Sequence, residues 1–213
     1  TVTTEFALIA VEAARTLDVA EFAVGGTFEA SMAVLSNTVY RLAAEGAVLS
    51  FPQEGMVALD GDLYQAVVDG KVTVKLTGEL SATTLAWQIW RPGEIGFTQI
   101  AQTVGENAGT VQIAVERTGG GSGACTVAVR LDADASSATA DEDFEDVFGA
   151  DGVLLAWADG ETGVKTLDVT LLDDLIYEGD ETIEMLLEVV AGAVPLAAGY
   201  ERQVVTLVEN DKP

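Results

Sequence analysis

The chain has 213 residues, with 10 Lys+Arg against 35 Asp+Glu, no histidine and one cysteine, for a formal net charge of −25. The lack of histidine excludes Ser-His-Asp and Cys-His catalysis, an imidazole general base and Cys/His zinc fingers, and Cys125 alone allows neither an internal disulfide nor a thiolate cluster. Such acidity repels phosphate backbones and anionic lipid, while a hydrophobic fraction of 49% is enough for a buried core and argues against disorder.

In chain order, Glu5 to Leu17 places Phe6, Ile9, Ala13 and Leu17 on one helical face behind Thr4 as a cap, and reads equally as strand. Phe28 to Leu42 is ambiguous in the same way. From Gly55 to Trp90 the pattern is that of a β-meander. Met56–Leu59, Leu63–Val68 and Val72–Leu76 are its strands, joined by the hairpin-type turns Asp60-Gly61 and Asp69-Gly70. Trp87 and Trp90 are expected on opposite faces, one in the core and one as an exposed contact. Arg91-Pro92-Gly93-Glu94 is a strong breaker, so the expected division is a β-rich domain over 1–93, with room for one short helix, and a second domain over 94–213.

Beyond Ile95 the pattern is β throughout. Val111–Val115, Cys125–Leu131, Lys165–Leu171 and Val204–Val208 alternate, with turns at the spacing of a sandwich. Gly119 to Gly123 lacks the Lys-Ser/Thr and the helix of a phosphate loop and reads as a flexible hairpin connection. Cys125 opens a strand and is expected to be a buried small hydrophobe. No apolar run reaches the roughly 18–20 residues of a membrane span, and Thr1 to Glu5 lacks the basic start and apolar core of a signal peptide.

Acidic clusters stand at strand ends: Glu106-Asn107, Asp141-Glu142-Asp143, Asp173-Asp174 with Glu178 and Asp180-Glu181, and Glu209-Asn210-Asp211. If alternate strands run up and down in a sandwich, these clusters converge at one pole. Their mutual repulsion there is what a hard divalent cation relieves, and Ca²⁺ takes 6–8 oxygens in flexible geometry. The bland alternative is that loops are simply acidic in so acidic a protein.

The order of the motifs resembles the Calx-beta domain, the calcium-binding sandwich of sodium/calcium exchangers and many bacterial surface proteins. The resemblance covers residues 97–211. It is carried by Gly105 to Val111, Val115 to Gly120, Ala138 to Phe144, Trp157 to Thr162, Leu171 to Asp174 with Glu178 to Glu181, and Val205 to Asp211. It implies an all-β, Ig-like antiparallel sandwich that binds Ca²⁺. The implied ligands are Glu106, Asp143, Asp173, Asp174, Glu178, Glu181, Glu209 and Asp211, with the Ile176 carbonyl as a backbone ligand. The terminal run departs from the family's all-Asp form, because Asn210 carries no charge.

The expected function is therefore non-enzymatic: a Ca²⁺-stabilised structural or adhesive protein of an exterior assembly. Two settings suit it, a phage virion component such as a capsid decoration or fibre protein, or a bacterial cell-surface adhesin module. Expected partners are proteins, through homo-oligomer or lattice contacts of residues 1–93, or a surface glycan or receptor. Nucleic acid and membrane insertion are not expected.

Overall fold

A computed structural model describes residues 7–9, 15–18, 27–45, 47–59, 61–78 and 84–212. The chain divides into two compact units, Thr1–Arg91 and Pro92–Pro213, each all-β around its own core. Among the described residues no helix is long and apolar enough to cross a membrane.

The described strands of the first unit are β1 (Ala7–Ile9), β2 (Arg15–Asp18), β3 (Thr27–Val34), β4 (Val39–Glu45), β5 (Ala47–Ser50), β6 (Met56–Ala58), β7 (Leu63–Ala66), β8 (Gly70–Gly78) and β9 (Thr84–Ile89). They form two sheets, β1-β3-β8-β5 and β2-β9-β4-β7-β6. Strand alternation explains the core. Val72, Val74 and Leu76 of β8 point inward with Phe28, Ala30 and Met32 of β3, and Tyr40, Leu42, Leu85 and Trp87 of the other sheet complete the cluster.

Three readings of this unit change. The stretch Glu5 to Leu17 is not a helix where it is described. Residues 7–9 pair in parallel with Ser31–Ala33, and Arg15–Asp18 pair antiparallel with β9, so strand partners outweigh an apolar spacing that also fits a helical face. Glu5, Phe6 and residues 10–14 lie outside the described residues. Phe28 to Leu42 becomes two strands, with Asn37 at φ 61 in the turn between them.

The segment from Gly55 to Trp90 is not a meander. β6 and β7 do form a hairpin at Gly61, whose neighbour Asp60 lies outside the described residues. β7 and β8, however, belong to different sheets, so Asp69-Gly70 turns a corner between them. The Asp69 carboxylate accepts the Ser36 N–H at 2.8 Å, a long-range bond that local turn chemistry does not foresee. Trp87 is buried, and Trp90, just past β9, is half-buried with the Arg41 guanidinium 5.4 Å from its ring centre.

The second unit is a sandwich of β10 (Glu94–Phe97), β11 (Ala101–Gly105), β12 (Thr110–Thr118), β13 (Cys125–Leu131), β14 (Val153–Trp157), β15 (Gly163–Thr170), β16 (Glu181–Ala191) and β17 (Arg202–Val208). Its sheets are β10-β12-β15 and β11-β17-β16-β13-β14. Strand pairing is antiparallel except between β11 and β17, which run parallel. Ile95, Phe97, Ile113, Val127, Trp157, Ile183 and Val205 fill the core, and Cys125 is buried among them, its thiol pKa pushed up by burial. The registers bring the ends of β11, β13, β15 and β17 and the starts of β12 and β16 to one pole.

Pro92 enters at the opposite pole, beside the end of β12, where Arg117 is 1% exposed. The Arg117 Nε and Nη2 donate to the Pro92 carbonyl at 3.0 and 2.8 Å. A further Nη2 bond reaches the Ser122 carbonyl at 2.9 Å, and Nη1 reaches that of Glu161 at 3.2 Å. This corrects the reading of Gly119 to Gly123 as a flexible hairpin. β12 and β13 lie in different sheets, and the segment is pinned where it crosses. Gly121 is glycine for space, since a Cβ there would come within 2.9 Å of the Gly160 backbone.

Removing a buried guanidinium leaves its acceptor carbonyls without donors. The Arg117→Met substitution is expected to lower the stability of the sandwich by about 3 kcal/mol, measured by urea unfolding. A change within about 0.5 kcal/mol, the range of ordinary surface substitutions, would contradict this role.

Candidate metal centre

Four chain connections build the acidic pole. A 3₁₀ turn over Glu106–Ala108 ends at Gly109 (φ 77) and carries the Glu106 side chain inward until the residue is 8% exposed. The Gly109 carbonyl accepts the Leu171 N–H at 3.0 Å, which ties this turn to the end of β15. Between β13 and β14, Phe144 is buried against Phe148 and bridges both Ala140 and Leu171. That anchor sets Asp143 at the rim, where its carboxylate accepts the Thr139 N–H at 2.5 Å and its carbonyl accepts the Leu172 N–H at 2.9 Å.

The third connection is the loop from Asp173 to Asp180. Asp174 Oδ1 accepts the Ile176 N–H at 2.6 Å, and Gly179 at φ 90 turns the chain back toward β16. The fourth is the run after β17. Glu209 Oε2 accepts the N–H groups of Glu178 and Gly179 at 2.7 and 3.0 Å, while Oε1 accepts that of Asp211 at 2.7 Å. In return the Glu209 N–H donates to Asp180 Oδ1 at 3.1 Å. Loop and terminal run therefore hold each other.

Two carboxylate sets result. One oxygen each from Glu106, Glu209 and Asp211 lies within 4.8 Å of the others, and the same holds for Asp143, Glu178 and Glu181. Five of these six carboxylates, those of Glu106, Asp143, Glu178, Glu181 and Glu209, line one recess with Gly179 and Leu207. Six of the residues expected from sequence are thus brought together. Asp173 and Asp174 border them: Asp173 Oδ1 accepts from Asn210 Nδ2 at 2.7 Å, and the Asp174 backbone favours the charged form of Glu106. The Ile176 side chain is exposed between those of Leu175 and Tyr177, and its N–H is bonded to Asp174. Sequence reading missed the part played by the amides of Asn107 and Asn210, which bond each other at 3.1 Å. Their place inside two of the acidic motifs was the available signal.

Residues 91–211, more than half of the chain, match the family model described as the Calx-beta domain. The chain belongs to the Calx-beta domain family. Among solved structures it is similar to the apo-form Calx CBD1 domain, at 25% identity and a TM-score of 0.47, over 55% of this chain and 97% of that one. It is also similar to the calcium binding domain CBD12 of CALX1.1, at 26% identity and a TM-score of 0.47, over 55% of this chain and 45% of that one. For CBD12 from CALX1.2 the values are 24% and 0.46, with the same coverage. The chain thus spans less than half of the two CBD12 chains. No curated protein matches the sequence.

The Calx-beta unit holds 24 of the 35 acidic residues and only five basic ones. Its described ion pairs, Arg130–Glu188, Lys165–Glu161 and Arg202–Asp132, involve none of the carboxylates of the two sets. The pole consequently perturbs its own acids. Burial, a hydrogen bond with Asp143 and the charges of Asp143, Glu178 and Glu106 push Glu181 up to about 7. Glu106 is raised by burial and then by Glu209, and Asp211 by burial and then by Glu209, Asp173 and Asp174. Glu178 is raised by desolvation and then by Asp143, Asp174, Glu142 and Glu209. Glu209 moves the other way, down to about 2, because the N–H groups of Asp211, Glu178, Gly179 and Asn210 favour its charged form.

These shifts oppose each other in pH. A carboxyl raised in the fold contributes stability that is complete below its unfolded value and lost as pH rises through the folded one. For Glu181 that loss runs from about 4.5 to about 7. Glu209 contributes stability above about 4.5 that is lost as pH falls toward about 2. In chelator, the sandwich is expected to melt highest in mild acid and lower at pH 7.5, read by scanning calorimetry across pH 3–8. A melting temperature that climbs steadily to pH 7.5 would contradict the crowding of these acids.

Proposed function

We propose that the Calx-beta sandwich binds Ca²⁺ at this pole through Glu106, Asp143, Asp173, Asp174, Glu178, Glu181, Glu209 and Asp211. On this reading the chain is a non-enzymatic structural module of an exterior assembly. The observation that carries the proposal is the pair of carboxylate sets, five of whose six members line one recess, with none of the described ion pairs reaching them. The donors are all oxygen, which suits a hard cation, and they come irregularly from four separate connections, which suits the variable geometry of Ca²⁺ over the strict octahedron of Mg²⁺. When bound, the ion supplies the charge that lets four mutually repelling segments stay in contact.

A structural role is supported by what the site lacks for chemistry. The chain has no histidine, and the carboxylates are spent on backbone N–H groups and on each other. An exterior setting is supported by ion supply, because modules with open, loop-built sites fill at the roughly millimolar Ca²⁺ found outside cells. Within that setting we place the chain in a phage virion, as a capsid decoration or fibre protein, with the separately cored unit Thr1–Arg91 as its docking part. A bacterial adhesin module is the alternative.

Thermal unfolding in EGTA and then in millimolar Ca²⁺ tests the metal reading. At a concentration about 100 times Kd, binding to the folded state adds roughly 2.7 kcal/mol, on the order of 10 °C for a unit of this size. The Asp173→Ala/Asp174→Ala double variant is expected to lose most of that rise. An unchanged melting temperature in Ca²⁺ would defeat the proposal.

A further inference from the structure

The last strand of a sheet offers N–H and C=O groups with no strand to pair them, and proteins guard such edges with charge, brevity or a covering segment. Most sheet ends of this chain are guarded in one of these ways. β2 carries Arg15 and Asp18, β15 carries Lys165 and Asp168, and β1 and β6 are three residues long. The open side of β10 is taken by a later segment, where the Ile95 N–H donates to the Pro195 carbonyl at 3.0 Å and the Ala197 N–H to that of Ile95 at 2.8 Å. β14 stands between Asp151 and Asp159 in the more acidic unit. β5 (Ala47–Ser50) has no such guard. It ends the sheet β1-β3-β8-β5, its described partner is β8, and no charged residue stands from Gly46 to Gln53. Ala47 and Leu49 pack on the core of the first unit and hold the strand in place, while Val48 points outward and is 71% exposed.

Charge selects what can pair there. At −25, two copies of the chain repel each other over most of their surface. The first unit carries 11 acidic and five basic residues, against 24 and five in the second, and β5 is an uncharged edge within it. A second copy also brings the right template. Two antiparallel copies of one strand, related by a two-fold axis, exchange N–H and C=O groups on equal terms, whereas any other partner has to bring an open edge of its own. We infer that β5 is a self-association edge, which pairs antiparallel with β5 of a second copy of this chain and joins two four-stranded sheets into one. This pairing rests on the reading of Thr1–Arg91 as the docking part and names the strand through which it meets a like chain. Paired residues share a face, so Val48 is set against an uncharged outward residue of the second copy, either Val48 or Ser50.

Sedimentation equilibrium of the full chain tests this, beside the variants Val48→Glu, Val48→Thr, Val57→Glu and Leu154→Glu. All three positions are exposed, and melting of each variant checks that the fold is kept. The wild type is expected to form a dimer that grows no further, because a two-fold contact closes on itself. V48E is expected to weaken the dimer about tenfold, since it sets like charges across the paired strands. V48T keeps a β-branched, uncharged side chain and is expected to stay dimeric, as are V57E on β6 and L154E on β14. A wild type that stays monomeric at hundreds of micromolar overturns the inference and leaves the first unit free to dock on a different protein. A dimer that V48E leaves intact also overturns it. Dissociation by V57E instead would move the contact to β6 and keep the docking reading of the first unit; dissociation by L154E instead would move it to the sandwich and defeat that reading too. If V48E fails to fold, hydrogen exchange of the wild type decides: the amides of Val48 to Ser50 must gain protection as protein concentration rises, and unchanged protection overturns the pairing.

Discussion

Concentrated like charge is the constraint around which the second unit is organised. At one pole six carboxylates fall into two sets whose oxygens lie within 4.8 Å of one another, and the described ion pairs of the unit lie elsewhere. What holds the pole together within the protein is a set of short N–H bonds. Glu209 is satisfied by three backbone donors, Asp143 by Thr139, and Asp174 by the N–H of Ile176. Charge-assisted bonds of this type are stronger than neutral ones, which is how so acidic a rim keeps a defined geometry.

The rim also depends on the core beneath it. Phe144 sits in the hydrophobic cluster, and the loop that carries Asp143 is drawn down wherever that ring is packed. Glu181 and Glu106 are the first residues of β16 and of the 3₁₀ turn, set against the top of the core, and burial leads the causes of their raised pKa values. Charge and packing are therefore set by the same residues, and a substitution in the cluster would be felt in the acids above it.

Much of the second unit could be read from the chain, because its signals are local. Cys125–Leu131 is a strand with the bounds that its alternation suggests, and the acidic motifs stand at strand ends. The convergence of those motifs needed only the up-and-down logic of a sandwich. What escaped was long-range. The parallel pairing of β11 with β17, the bond of Asp69 to Ser36 and the grip of Arg117 on Pro92 and Glu161 all join residues far apart in sequence, where neither periodicity nor turn propensity carries information. The bonds of the Asn210 amide to Asp173 and Asn107 were hidden for another reason: the motif shows a missing charge, and only the geometry shows what the neutral group does instead.

The parallel pairing of β11 and β17 has a mechanical consequence. The chain enters this sandwich at the pole of Pro92 and emerges from β17 at the pole of the carboxylates, which a nine-residue strand such as β12 separates by about 30 Å. Tension between those two points draws β11 and β17 lengthwise past each other. The hydrogen bonds along Ala101–Gly105 and Val204–Val208 then bear the force side by side and must fail together, where a hairpin peeled from its end would lose them one at a time. The sandwich is thus wired to resist stretching along its own long axis.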